Sequence, residues 1–148
     1  MLKVKALLFD VFGTVVNWRL GIINATEIIA KKNKIDINSA EFADAWRAEY
    51  QPAMEEIRKG RREFTILDEL HMENLIKIAP KYNLNNLSPD DKNFLVTAWH
   101  RLPGWPDSSE GLQKLKTKFI LAAQSNGNIA LIVNMAKYSN LNWDVILG

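Results

Sequence analysis

The chain has 148 residues, 47% hydrophobic and 24% charged, which suits one ordinary globular domain with room for an inserted subdomain. Its 19 basic and 17 acidic residues leave a net charge of +2, so electrostatics gives no reason to expect nucleic acid or an anionic membrane as a partner. The absence of cysteine excludes disulfides, thiolate catalysis and cysteine-ligated metals, and two histidines, His71 and His100, argue against a histidine-rich metal site.

No stretch approaches the roughly 20 continuous apolar residues of a membrane span. The start, MLKVKALLFDVFG, lacks a small-residue cleavage site, and its apolar run is interrupted by Asp10. The expectation is a soluble, cytoplasmic protein. In chain order, VKALLF (4–9) reads as a buried parallel strand ending at Asp10. Residues 19–33 form a helix with Leu20, Ile23, Ile28 and Ile29 on one face and a basic end. Residues 39–60 form a second helix, with Ser39 as its cap, a kink or split at Pro52 and a stop at Gly60. The stretch 62–82 is a third helix, halted before Pro80, and 87–102 a fourth, opened by Ser88 and Pro89.

A loop from Pro103 leads to a short helix with Leu112 and Leu115 inward. FILAAQSNGN (119–128) is a second buried strand ending in small polar residues. A helix over 128–141 follows, with Ile129, Ile132, Val133 and Ala136 inward, and WDVILG begins a third strand. Parallel strands separated by helices imply an α/β sheet, and the first crossover is far longer than one helix requires. The economical reading is a helical cap (17–100) inserted into a core made of 1–16 and 101–148.

In an open α/β sheet ligands bind outside the carboxyl ends of the strands. Asp10 closes one strand, and Ser125 with Asn126 closes the next. An aspartate there is a nucleophile, a metal ligand or a turn cap. Thr14 either acts with it or caps the same turn. Arg47 is open to a bland reading as a solvated helix residue paired with Glu49 or Glu55, and Asn126-Gly127 to one as a simple turn. The five tryptophans read as packing residues, with Trp46 also a candidate for a pocket wall. His100 and an exposed His71 read as structural.

FDVFGTVV and QSNGN together resemble motifs I and II of the haloacid dehalogenase superfamily, with Asp10 and Thr14 in a D-x-x-x-T frame and Ser125 after the second strand. Phosphatases of that superfamily carry a second aspartate two residues after the first. Phe12 stands there, and Asp-x-Phe-Gly-Thr is similar to the pattern of the L-2-haloacid dehalogenases. AWRAEY (45–50) resembles the segment that supplies their halide-binding arginine, which maps to Arg47. LPGWPDSSEGLQKLK, SNGN and MAKYSNLNWDVILG resemble the run around motif II.

The resemblance implies a Rossmann-like core, incomplete in this chain, with a helical cap. It implies hydrolytic dehalogenation of short L-2-haloalkanoic acids through an ester on Asp10. Arg47 and Asn126 would stabilise the halide, and Val11, Phe12, Trp46, Ser125 and Asn126 would hold the substrate. It implies no metal, no cofactor and a homodimer. The family's motif III lysine and acidic motif IV fall beyond Gly148, so a fragment is the expectation. A phosphatase of the same superfamily and a non-catalytic interaction fragment are the alternatives.

Overall fold

The computed structural model describes residues 3–148, in which three short strands form one parallel sheet. They are β1 (Ala6–Phe9), β2 (Ile120–Gln124) and β3 (Val145–Leu147), hydrogen-bonded in that order. The register sets Leu7 beside Leu121, Phe9 beside Ala123, and Ala123 beside Ile146. The helices are α1 (Trp18–Asn33), α2 (Ser39–Ala48), α3 (Tyr50–Arg58), α4 (Leu67–Ile78), α5 (Pro89–Val96), α6 (Ser108–Lys116) and α7 (Ile129–Tyr138). Short 3₁₀ turns follow α4 and α5. None of the described helices is long and apolar enough to cross a membrane.

The chain separates into two compact units. One runs up to Gly21 and resumes at Trp99–Gly148; the other is Ile22–Ala98. The sheet lies wholly in the first. Because successive strand residues point to opposite faces, Leu121 and Ala123 share one face with Leu7, Phe9 and Ile146, and both are fully buried. The opposite face carries Leu8, Ile120, Val145 and Leu147, and all four are exposed. β1 is therefore not the buried strand its apolar run suggests. Among the described strands it stands at one end of the order with alternating exposure, and an apolar run alone does not tell whether both faces are covered.

Asp144 closes the link between α6 and the sheet. Its Oδ2 accepts the Leu121 N–H at 2.9 Å, and its Oδ1 lies 2.8 Å from Lys116 Nζ. Lys116 also donates to the carbonyls of Asn142 and Trp143 at 3.2 and 3.3 Å. The Lys116 ammonium, and after it the Leu121 amide, hold the Asp144 carboxyl below its ordinary value. A depressed folded pKa contributes stability that is present above the unfolded value, near 3.9, and is lost as pH falls through the folded one. Asp144→Asn should therefore lower Tm by a constant amount from neutrality down to about pH 4. The gap to the parent chain should then narrow as pH falls further, in thermal melts followed by circular dichroism.

In the helical unit the caps follow local hydrogen-bond chemistry. Asn38, not Ser39, opens α2, its side chain accepting the Glu41 N–H at 3.1 Å. That places the acidic residue three positions after the cap, the spacing of a capping box. The helix over 39–60 is split, as Pro52 leads one to expect, and the break falls at Glu49. Inside a continuous helix the Pro52 ring would clash with the Ala48 carbonyl. Restarting at Tyr50 puts Pro52 in a first turn, where a missing N–H costs nothing. Residues 62–66 are not helical, and α4 begins at Leu67. There Arg62 donates to Thr65 Oγ1 at 3.0 Å and forks onto the Glu73 carboxylate. Ser88 caps α5 as expected, accepting the Asp91 N–H at 3.1 Å.

The core of this unit is Phe42, Trp46, Leu70, Leu75, Leu84 and Leu95. His71 belongs with it. It is buried, not exposed, and its ring meets Trp46 edge to face. The apolar face of α1 is Ile22, Ala25 and Ile29, with Leu20 and Ile28 outward. In the first unit α7 buries Leu131, Ile132 and Met135, while Ile129 is exposed.

Candidate active site

The carboxyl end of β1 turns sharply after Asp10. The Val15 and Val16 N–H groups both reach back to the Val11 carbonyl, at 3.0 and 3.2 Å, and Gly13 N–H donates to the Val16 carbonyl at 3.0 Å. Gly13 sits at φ +89°, a conformation that side chains rarely adopt. This turn aims Thr14 at the strand end, and its hydroxyl donates to Asp10 Oδ2 at 2.9 Å.

The end of β2 supplies the second contact. Ser125 Oγ donates to Asp10 Oδ1 at 2.9 Å and accepts the Val11 N–H at 3.3 Å. Each carboxylate oxygen of Asp10 thus receives one hydroxyl proton from a different segment, while the side chain stays exposed. Asp10, Ser125 and Asn126 line one open cleft of about 400 Å³ with Gln124, Leu147 and Gly148. Among the described residues no group of three or more His, Asp or Glu side chains is arranged to hold a metal ion.

Phe12 points elsewhere. Its ring lies 6.3 Å from that of Trp99, edge to face, and Trp99 stacks on Trp18 at 6.1 Å. A Cβ placed on Gly127 would sit 3.4 Å from Phe12 Cε2 and 3.0 Å from Ile132 Cδ1. The Asn126-Gly127 pair is therefore more than a turn: the missing side chain lets Phe12 close against the β2–α7 loop. A carboxylate at position 12 would lie among these aromatic rings.

Of the residues singled out from the sequence, the structure brings together Asp10, Val11, Thr14, Ser125 and Asn126, with Phe12 in the adjoining aromatic cluster. Val11 and Ser125 are mutually satisfied here, so the Val11 amide is already committed. Arg47 and Trp46 lie on α2, in the other unit. Arg47 places its guanidinium 4.4 Å from the Tyr50 ring centre, a cation–π contact. Of the two carboxylates near it in sequence, Glu49 pairs with Lys77, and Glu55 with Arg58 and Lys59. Trp46 is 1% exposed, and its indole N–H donates to the His71 carbonyl at 3.1 Å. Within its unit Trp46 is a core residue and presents no wall to a ligand.

Sequence reasoning missed the segment that holds the turn after Asp10 from outside. Asn17 N–H donates to the Pro103 carbonyl at 2.8 Å, Trp105 N–H to the Val15 carbonyl at 3.1 Å, and Ser108 Oγ to the same carbonyl at 2.7 Å. The Trp105 indole N–H donates to the Gly13 carbonyl at 3.1 Å. The Pro-Gly-Trp-Pro run signals a loop, but nothing in it says where that loop docks.

Comparison with solved structures connects these observations. The defluorinating L-2-haloacid dehalogenase Rha0230 is 44% identical over 98% of this chain, with a TM-score of 0.94. The L-2-haloacid dehalogenase PA0810 is 37% identical over 98% of it, with a TM-score of 0.92. The chain is similar in sequence and fold to the L-2-haloacid dehalogenases. It spans 60% and 62% of those two structures. The L-2-haloacid dehalogenase of Xanthobacter autotrophicus shares the fold at 19% identity, with a TM-score of 0.81 over 99% of this chain and 57% of that one. No family model and no curated protein matches the chain.

Proposed function

We propose that this chain carries the nucleophile side of a hydrolytic L-2-haloacid dehalogenase acting on short 2-haloalkanoic acids. One observation carries the reading: an exposed Asp10 carboxylate, fixed by the Thr14 and Ser125 hydroxyls, with Phe12 where a proton-handling aspartate would serve a phosphatase. An Asp10 oxygen attacks C2 of the substrate opposite the halogen, the carbon–halogen bond breaks, and the halide leaves with its electron pair. Water then adds to the aspartyl carbonyl carbon. The 2-hydroxy acid departs with inverted configuration, a proton passes to solvent, and Asp10 is restored.

A halide needs no proton to leave, which is why Phe12 is compatible with this chemistry. It does need compensation as its charge grows. The likeness of 45–50 to the halide-binding segment assigns that part to Arg47, and Asn126 is the amide beside the nucleophile. A preorganised donor of this kind is worth roughly 3–4 kcal/mol. For the substrate carboxylate, the Phe12 amide and the Ser125 hydroxyl are the donors assigned. Ser125 would exchange one of its present partners on binding.

Substrate range follows from the same family. Rha0230 is described as defluorinating, and we extend that reaction to this chain, with fluoroacetate as the diagnostic substrate. The test is halide release by the full-length protein from L-2-chloropropionate and from fluoroacetate, read by ion chromatography. Chloride with D-lactate supports the reading. No halide from either acid, alongside magnesium-dependent phosphate release from a model phosphate ester, replaces it with the phosphatase reading.

A further inference from the structure

We propose that Trp105 is a positioning residue for Asp10, acting through the Gly13 carbonyl and the Thr14 hydroxyl. The inference rests on the dehalogenase reading of the site and adds a residue outside its cleft. Trp105 is 39% exposed, so burial alone does not account for it. Its indole N–H is spent on one acceptor, the Gly13 carbonyl, at 3.1 Å. Gly13 is itself exposed, so water could satisfy that carbonyl.

What the indole supplies is direction. The Gly13 carbonyl and the Thr14 N–H belong to one planar peptide unit, and pinning the carbonyl fixes the plane from which the Thr14 side chain projects. The peptide after Val15 is pinned as well, its carbonyl taken by the Trp105 N–H at 3.1 Å and by Ser108 Oγ at 2.7 Å. Residues 105–108 thus hold the peptide plane just before Thr14 and the one beyond Val15, and the Thr14 hydroxyl lies 2.9 Å from Asp10 Oδ2. The φ of +89° at Gly13 makes this hold useful, because glycine alone leaves the turn free to move. The segment is anchored on its far side: Gly104 N–H donates to Ser139 Oγ at 3.0 Å, and Ser109 Oγ to the Asn140 carbonyl at 2.9 Å.

The test is Trp105→Phe, which keeps an aromatic ring and removes the donor. With L-2-chloropropionate, kcat should fall about tenfold, the weight of one hydrogen bond, with KM within twofold of the parent value. Thr14→Val should fall at least as far. The double variant should be no slower than Thr14→Val alone, because both changes remove the same restraint. Multiplying effects, or an unchanged kcat in Trp105→Phe, would overturn the proposal.

A second arm does not depend on turnover. The carboxyl carbon of Asp10, followed by ¹³C NMR, should move in Thr14→Val and in the same direction in Trp105→Phe, with a smaller move in Ser108→Ala should the phenylalanine variant not fold. An Asp10 resonance that responds to Thr14→Val and to neither of the others sinks the proposal. Full-length parent protein that releases no halide, with the NMR shifts as expected, rejects the dehalogenase reading while keeping the positioning role.

Discussion

Asp10→Asn is expected to reduce halide release by about 10⁴-fold or more, the scale seen when a covalent nucleophile is removed, with little change in Tm. The two halves of this result separate chemistry from folding. The amide keeps a carbonyl oxygen able to accept from Thr14 or Ser125, and the side chain is exposed, so the stability change should stay within roughly 0.5 kcal/mol. What is lost is the anionic oxygen that attacks carbon. The covalent route also predicts where water's oxygen goes. In a single turnover in H₂¹⁸O the label enters the Asp10 carboxylate, because water attacks the aspartyl carbon and the product hydroxyl is the original Asp10 oxygen. Label in the hydroxy acid after that first turnover would mean that water attacks C2 directly, with Asp10 as a general base.

The parts of this site that could be read from the sequence are those that depend on strand ends. Asp10 and Ser125-Asn126 each follow a short apolar run, and parallel pairing of neighbouring strands carries both to one edge whatever else the chain does. Phe12 was informative by its chemistry alone, since a ring that cannot carry a proton restricts the leaving group. The exposure of Leu8 and Ile120 was not legible, because it depends on what covers a sheet face and not on the strand's own pattern. The Asn38 cap was obscured by Ser39, an equally good capping residue one position later; the geometry of the entering chain decided between them. Trp105 is the clearest omission. Composition marks a tryptophan as packing material, and only the docking of its loop turns the indole N–H into a donor to the turn after Asp10. Trp46 fails in the opposite sense: proximity to Arg47 in sequence suggested a pocket, whereas neighbours on a helix point about 100° apart and can serve opposite faces.

That last contrast yields the second large effect. Trp46→Ala should cost about 3–5 kcal/mol, the usual range for truncating a large buried aromatic. The indole is 1% exposed and packs 5.5 Å from the Phe42 ring and 6.2 Å from that of His71. Removing it leaves a void under α2 and strips the His71 carbonyl of the indole N–H it accepts. Against a total stability of about 5–15 kcal/mol for an ordinary domain, a loss of this size should show as a clear fall in the urea midpoint, with the slope unchanged if unfolding stays two-state. Trp46→Phe should be milder, restoring most of the volume and losing one hydrogen bond to a carbonyl that α4 still engages, a cost of about 1 kcal/mol. A residue lining the substrate pocket would behave differently: both variants would melt like the parent chain and differ in KM. Given the role proposed for Arg47, catalysis should still suffer in Trp46→Ala, but through α2. Arg47 is the next residue on that helix, and a helix whose buried face has lost its largest side chain no longer holds the guanidinium over Tyr50.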